Sequence, residues 1–262
     1  MTLIFKLKFS VLFVISLFFA HPAEARVKLP LQIKWQYQLS RSFDLKKDFV
    51  PGVKLYIIDL FDNSSSTVKA MKDKGAIVIC YFSAGSYEDW RSDAKDFPKA
   101  SLGKNLDGWE GEKWLDIKNT KVLSIMKKRL DLCKSKGFDG ADLDNMDGYT
   151  QKSGFQIKSA DQLKYNRSLA AEAQARDLTV GLKNDVDQIP DLVKHFDFTI
   201  NEECFEYQEC KKLLPFIDQG KAVLNVEYKL KSSQFCTQAN AYKFSSIKKK
   251  LNLDREVESC LK

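Results

Sequence analysis

From Lys34 onward, short apolar runs of β type alternate with longer stretches whose apolar positions recur every three to four residues. That alternation is the mark of βα units on a parallel sheet. The strand candidates are KWQYQL (34–39), KLYIIDL (54–60), AIVICYFS (76–83), GADLD (140–144), LTVGLKN (178–184), FDFTINE (196–202), AVLNVEY (222–228) and YKFSSI (242–247). Between them, SSTVKAMKDKG reads as a helix capped by Ser66 or Thr67 and stopped by Gly75. TKVLSIMKKRLDLCKSKG reads as a second, ended by Gly137, and ADQLKYNRSLAAEAQARD as a third. Eight strands with helices between them predict an α/β fold, a single-domain (β/α)8 TIM barrel over residues 26–262. An open doubly wound sheet is the competing architecture, but no Gly-rich phosphate turn follows the first strand and WQYQL is too polar for its centre. The stretch from Ser83 to Asp116, rich in Trp, Asp and Gly, fits neither period and is long enough to be a functional loop.

The N-terminus breaks this pattern. Lys6 and Lys8 precede the apolar run FSVLFVISLFFA, and HPAEAR then offers Ala23 and Ala25 as a small-x-small cleavage site. The apolar core is about twelve residues, well short of the roughly 20 that span a bilayer. Residues 1–25 are therefore expected to be a signal peptide cleaved after Ala25, and the protein to be periplasmic or secreted, without stable membrane insertion afterwards. Six cysteines suit such a destination. Cys204 pairs most simply with Cys210 across a short turn, and Cys236 with Cys260 around a Lys-rich excursion. Cys80 and Cys133 are left open as a bridge or as two buried thiols. No Cys-x-x-Cys occurs and the two histidines are His21 and His195, so no metal and no cofactor are expected.

The 262 residues carry a formal charge of +7, which by itself suggests an acidic partner. Its distribution argues otherwise. The basic residues are mostly Lys on helix-like segments, a solvated outer face rather than a nucleic-acid footprint, and a monomer without nucleic acid is expected.

Acidic and amide side chains instead collect at the C-terminal ends of the strand candidates, where a barrel places its active site. Asp59 and Asp62 follow the second; Glu88 and Asp89 lie beyond the third; Asp142 and Asp144 close the fourth. Asn184 and Asp185 end the fifth, Glu202 and Glu203 the sixth, and Glu227 the seventh. Carboxylates packed so closely raise one another's pKa, a condition found where they do chemistry or bind a cation. DLDNMDG resembles a calcium loop, but the position of the closing Glu is Ser153. Period-two alternation puts Asp142 and Asp144 together on the face opposite Ala141 and Leu143, hence in the barrel mouth. A carboxyl pair across such a mouth is the equipment of glycoside hydrolysis. Tyr37, Tyr81, Trp90, Trp109, Trp114 and Tyr228 could offer apolar faces to sugar rings.

With the segments WQYQLS, YIIDLFD, CYFSAGSYEDWR, GFDGADLDNMDGY, GLKND, NEECFEYQEC and VLNVEY in that order, the chain resembles glycoside hydrolase family 114, the endo-α-1,4-polygalactosaminidases. The resemblance runs from Lys34 to about Tyr228. It implies a barrel that cleaves α-1,4-linked galactosamine polymers with an Asp of the fourth strand and a Glu of the sixth. Asp144 and Glu202 match those positions, with Asp142 and Glu203 in reserve. Substrate contacts fall on Asp59, Tyr81, Ser83, Asp142, Asn145, Lys183, Asn184, Glu203 and Tyr228. Alternation counted from Phe198 and Ile200 as outward-facing residues would instead send Glu203 into the mouth. The implied partner is a cationic galactosamine-containing polysaccharide, whose ammonium groups an acidic crater would bind. Two other readings remain: a polysaccharide-binding barrel without turnover, and a hydrolase of another amino sugar.

Overall fold

The computed structural model describes residues 26–261. The expected signal segment and its cleavage site lie outside them. Eight parallel strands, each hydrogen-bonded to its neighbour in chain order, form the barrel wall. They are β1 (Trp35–Gln38), β2 (Leu55–Asp59), β3 (Ile77–Ser83), β7 (Gly140–Asp144), β8 (Thr179–Lys183), β9 (Phe198–Glu202), β10 (Val223–Glu227) and β11 (Ser245–Lys248). Among the described residues no ladder joins β11 back to β1. The seam is held by Trp35 Nε1 donating to Ser245 O at 2.7 Å and by Leu39 N donating to Leu253 O at 3.0 Å. A short strand β12 (Glu258–Ser259) runs antiparallel to β11.

Helices α1 (Ser65–Asp73), α2 (Thr120–Ser135), α3 (Ser159–Gln174), α4 (Ile189–Leu192), α5 (Leu214–Asp218) and α6 (Ser232–Ala241) lie between the strands. The start of α1 is capped by Ser64, whose Oγ accepts the Thr67 amide at 3.1 Å, rather than by Ser66 or Thr67. Ser64 has the extended backbone a cap needs, whereas Ser66 and Thr67 are already inside the first turn.

The wall strands are buried on both faces, as parallel strands covered by helices must be. Tyr56, Ile58, Val78, Cys80, Phe82, Leu143 and Val180 pack outward against the helices. Trp35, Tyr37, Leu55, Ile57, Ile79, Phe198, Ile200, Leu224, Val226 and Ile247 fill the barrel. Gly181 sits on the inner face because a Cβ there would come within 2.3 Å of Ile200 Cδ1 and 2.6 Å of the Phe198 ring. Phe198 and Ile200 therefore point inward, correcting the premise that would have turned Glu203 into the mouth. Glu202, two residues beyond Ile200, shares their face.

The stretch from Ser83 to Asp116 is a three-stranded antiparallel sheet, ordered β4 (Ser86–Glu88), β6 (Glu112–Leu115), β5 (Leu102–Asn105). It rises over one side of the mouth. Three disulfides are present: Cys204–Cys210, Cys236–Cys260 and Cys80–Cys133, the last tying β3 to α2 behind the wall. No helix of the described residues is long and apolar enough to cross a membrane.

Candidate active site

Three neighbouring strands end in charged residues that meet: β7 in Asp144, β8 in Lys183 and β9 in Glu202. Directly after each, the backbone enters the left-handed region, at Asn145 (φ 59°), at Asn184 and Asp185 (φ 50° and 44°) and at Glu203 (φ 59°). Asn and Asp tolerate that region better than most residues, and a Glu there is held by its surroundings. The consequence is local. Each chain turns sharply off its strand, leaving the last inward side chain at the rim.

Lys183 occupies the centre. Its Nζ lies 2.9 Å from Asp144 Oδ1, 3.1 Å from Glu202 Oε2 and 3.4 Å from the Tyr37 hydroxyl, with the residue 2% exposed. Burial pushes this ammonium down, but Asp144, Glu202 and Asp142 carry it well above its ordinary value, so it stays charged. Asp144 receives the Tyr81 hydroxyl on Oδ2 at 2.6 Å, and its own neighbour's amide, Asn145 N, on Oδ1 at 2.8 Å. Burial pushes the Asp144 carboxyl up; the Lys183 charge and the hydrogen bonds from Tyr81, Lys183 and Asn145 outweigh it, leaving the carboxyl below its ordinary value. Glu202 accepts the Tyr228 hydroxyl on Oε1 at 2.5 Å and Asn184 Nδ2 on Oε2 at 3.2 Å. Asn184 also accepts the Glu202 amide at 2.9 Å, fixing the carboxyl from both sides. Burial, then Asp144, raises the Tyr81 phenol, and burial, then Glu202, raises that of Tyr228, so both remain donors.

Of the predicted contact residues, Asp59, Tyr81, Asn145, Lys183, Asn184 and Tyr228 line one cleft of about 1040 Å³ together with Asp144 and Glu202. Trp90, Trp109 and Trp114 rise along the β4–β6 side of the same cleft, the first two roughly half exposed. Asp142 and Ser83 do not reach the cleft surface. Asp142 is fully buried one step below Asp144 and takes the Tyr37 hydroxyl at 2.9 Å, while Ser83 Oγ takes Asn145 Nδ2 at 2.9 Å. Both support rim residues from beneath. Glu203 turns away from the Asp144 side toward Lys229 and Tyr207, into a neighbouring cleft.

Buried cations make this acidity tolerable, and of these the two arginines were not among the expected site residues. Arg91, 8% exposed, spans Asp59 (2.6 and 3.0 Å) and Glu88 (2.7 Å), and Arg129 pairs with Asp93. Arg91 stands in the quoted CYFSAGSYEDWR segment. Lys183, expected as a substrate contact, is in addition the counter-ion of Asp144 and Glu202, and a lone base at the end of an inward-facing strand was the available signal for that role. Glu112 was also passed over. It accepts Ser86 Oγ at 2.7 Å, and burial, then Glu88 and Asp144, push its carboxyl up to about 7.

Asp142 gives a stability test. Burial, then Asp144, raises its carboxyl to about 7 despite Lys183 and Tyr37. The folded protein thus binds a proton that the unfolded chain has released, and this group lowers stability as pH rises from about 4 to about 7. In Asp142→Asn that penalty is absent. The variant's melting temperature relative to the parent should therefore move upward between about pH 5 and about pH 8. A difference independent of pH in thermal melts would show that Asp142 is not protonated in the folded state.

Among the described residues no three His, Cys, Asp or Glu side chains are grouped as a metal ion would require. A sequence model of glycoside-hydrolase family GH114 matches residues 19–262. Among solved structures, Ega3 of Aspergillus fumigatus in complex with galactosamine is 39% identical, with a TM-score of 0.86 over 90% of this chain and 98% of that one. The glycoside hydrolase domain of PelA from Pseudomonas aeruginosa shares the fold at 12% identity, TM-score 0.69, over 86% and 98% of the two chains. The trehalulose synthase MutB from Pseudomonas mesoacidophila MX-45 shares it more distantly, at 10% identity and TM-score 0.56 over 78% and 59%. No curated protein sequence matches the chain.

Proposed function

The chain belongs to glycoside-hydrolase family GH114 and is a glycoside hydrolase; on that premise we propose that it is exported and cleaves α-1,4-linked galactosamine and N-acetylgalactosamine polysaccharide internally, with Asp144 and Glu202 as its two working carboxyl groups. The observation that carries this reading is the buried ammonium of Lys183 held between those two carboxyls at the floor of one open cleft. Ega3, whose structure contains galactosamine, supports the choice of sugar. The three disulfides support export, because such bridges persist in oxidising compartments. The expected signal peptide of residues 1–25, cleaved after Ala25, would deliver it there.

Asp144, held ionised, suits the nucleophile. Its Oδ1 already accepts two donors and its Oδ2 one, which leaves a lone pair on Oδ2 for the anomeric carbon. Glu202 suits the proton donor, since Oε1 accepts only Tyr228 and has room for a proton. Glu202 protonates the glycosidic oxygen as the C1–O bond breaks and Asp144 bonds to C1; Glu202 then takes a proton from water, whose oxygen displaces Asp144. This route through a covalent intermediate on Asp144 predicts retention of configuration, which the anomer first released from a defined oligomer, followed by NMR, checks.

Incubating the protein with defined galactosamine and N-acetylgalactosamine oligomers, read by mass spectrometry, tests the assignment. Cleavage of neither would end it. If ammonium groups are recognised, activity on free-amine chains should fall as salt shortens the screening length below about 10 Å, and full N-acetylation should weaken it. Equal cleavage of both polymers at all salt concentrations would remove cation recognition and leave the hydrolase assignment standing.

A further inference from the structure

A second cleft, of about 420 Å³, opens beside the first and shares Asp147, Thr150, Asn184 and Glu202 with it. Its size lies within the range of small-ligand sites. A sugar chain lying across Glu202 would run from one cleft into the other. Tyr149 and Tyr207 line the second cleft, and Tyr207 is 61% exposed. All four exposed large apolar side chains among the described residues, Trp90, Trp109, Leu251 and Tyr207, line one cleft or the other. Exposed aromatic surface confined to grooves marks a place where ligand carbon is covered.

The acids of this cleft are not equally compensated. Asp187 and Glu209 pair with Lys212 at 2.7 and 3.3 Å, and Glu203 lies 3.5 Å from Lys229. Asp147 and Asp185 have no Lys, Arg or His within ion-pair distance among the described residues. Asp185 is 4% exposed; its Oδ2 accepts Asn166 Nδ2 at 2.8 Å, while its Oδ1 is buried without a partner. A buried carboxyl oxygen of that kind carries an unmet demand for a donor.

We propose that the second cleft is a subsite for a 2-amino-2-deoxyhexose unit with a free ammonium, which Asp147 and Asp185 hold from below while Tyr207 lies against the sugar ring. This rests on the galactosamine reading above and adds to it where along the chain a free amine is needed. A metal ion is the poorer occupant, since no metal-sized cluster of ligands is present among the described residues. Burial, then the charge of Asp147, pushes Asp185 up to about 8, and a bound ammonium would offset that cost.

The test is titration calorimetry with a free-amine galactosamine tetramer and its fully N-acetylated counterpart. It uses the Asp144→Asn protein alone and combined with Asp147→Asn or Tyr207→Ala. Each added substitution is expected to weaken free-amine binding by about tenfold, the worth of one charge-assisted hydrogen bond or a lost stacking surface, and to leave the acetylated tetramer unchanged. Tyr207→Ala, at an exposed position, guards against misfolding of the Asp147 variant. Free-amine binding that neither substitution weakens, equal weakening for both tetramers, or no binding of the free-amine tetramer would overturn the subsite. Hydrolysis of oligomers by the parent protein decides the galactosamine reading separately.

Discussion

Asp144→Asn and Glu202→Gln are each expected to lower hydrolysis by a factor on the order of 10⁴ or more, as removal of one member of a catalytic unit generally does. Each change keeps the side-chain volume and removes the ability to attack or to donate a proton. Neither should unfold the barrel. Lys183 keeps one of its two carboxylates in either variant, and the Tyr81 and Tyr228 hydroxyls can still donate to the amide oxygen. Melting temperatures close to the parent's, with initial rates at the detection limit, are the expected pair of measurements. Glu203→Gln is the control. Its side chain faces Tyr207 and Lys229, so it should retain turnover within a small factor on the shortest substrates. Loss of turnover in Glu203→Gln with survival in Glu202→Gln would invert the assignment.

The need for that control shows where the sequence could be read and where it could not. Strand order, the βα rhythm and the acidic strand ends were legible because period-two and period-3.6 patterns are long and repeated. Period two also ties Glu202 to Phe198 and Ile200, but it does not say which face the three share. In a strand covered on both sides, Thr199 and Asn201 are as buried as Phe198 and Ile200, so hydrophobicity carries no sign for inside or outside. The Gly at 181 was the local clue, since it leaves room on the inner face for both of those side chains. The small sheet β4–β6–β5 stayed hidden for a different reason. Its strands are three or four residues long and largely polar, too short for any period to register. The pairing of Cys80 with Cys133 needed three dimensions, as it joins a strand to a helix 53 residues away.

Charge was the hardest quantity to read. The abundance of Asp and Glu at the strand ends suggested a crater waiting for substrate cations, yet much of that charge is already matched by Arg91, Arg129 and Lys183. What the substrate can still neutralise is the remainder: Asp62, Asp107, Glu112 and Asp147 along the first cleft and Asp185 in the second. Recognition of an ammonium polymer would thus rest on the walls, whereas the floor is balanced within the protein by Lys183.

Lys183→Met is expected to show that division most strongly. Methionine fills nearly the same space without charge, so the loss is electrostatic rather than a cavity. Asp144 and Glu202, with the buried Asp142 beneath, are then left at the cleft floor without the cation that paired with them. Removing one side of a buried pair costs about 3–5 kcal/mol, and stability in denaturant should fall by that order at neutral pH. The sign of the pH dependence follows from the two states. In the parent the Asp144 carboxyl is below its ordinary value, so its contribution is present at neutral pH and lost as pH falls through the acid range. Without Lys183 the same carboxyls move above their unfolded values of about 4, and folding then favours their protonated forms, so stability falls as pH rises. The difference between parent and variant should accordingly shrink toward about pH 4 and widen toward about pH 8. The acid limb of residual hydrolysis should move upward with it, because Asp144, as the proposed nucleophile, would still have to ionise. Equal stability of the two proteins at neutral pH, with an unmoved acid limb, would mean that the acid pair is balanced by something other than Lys183.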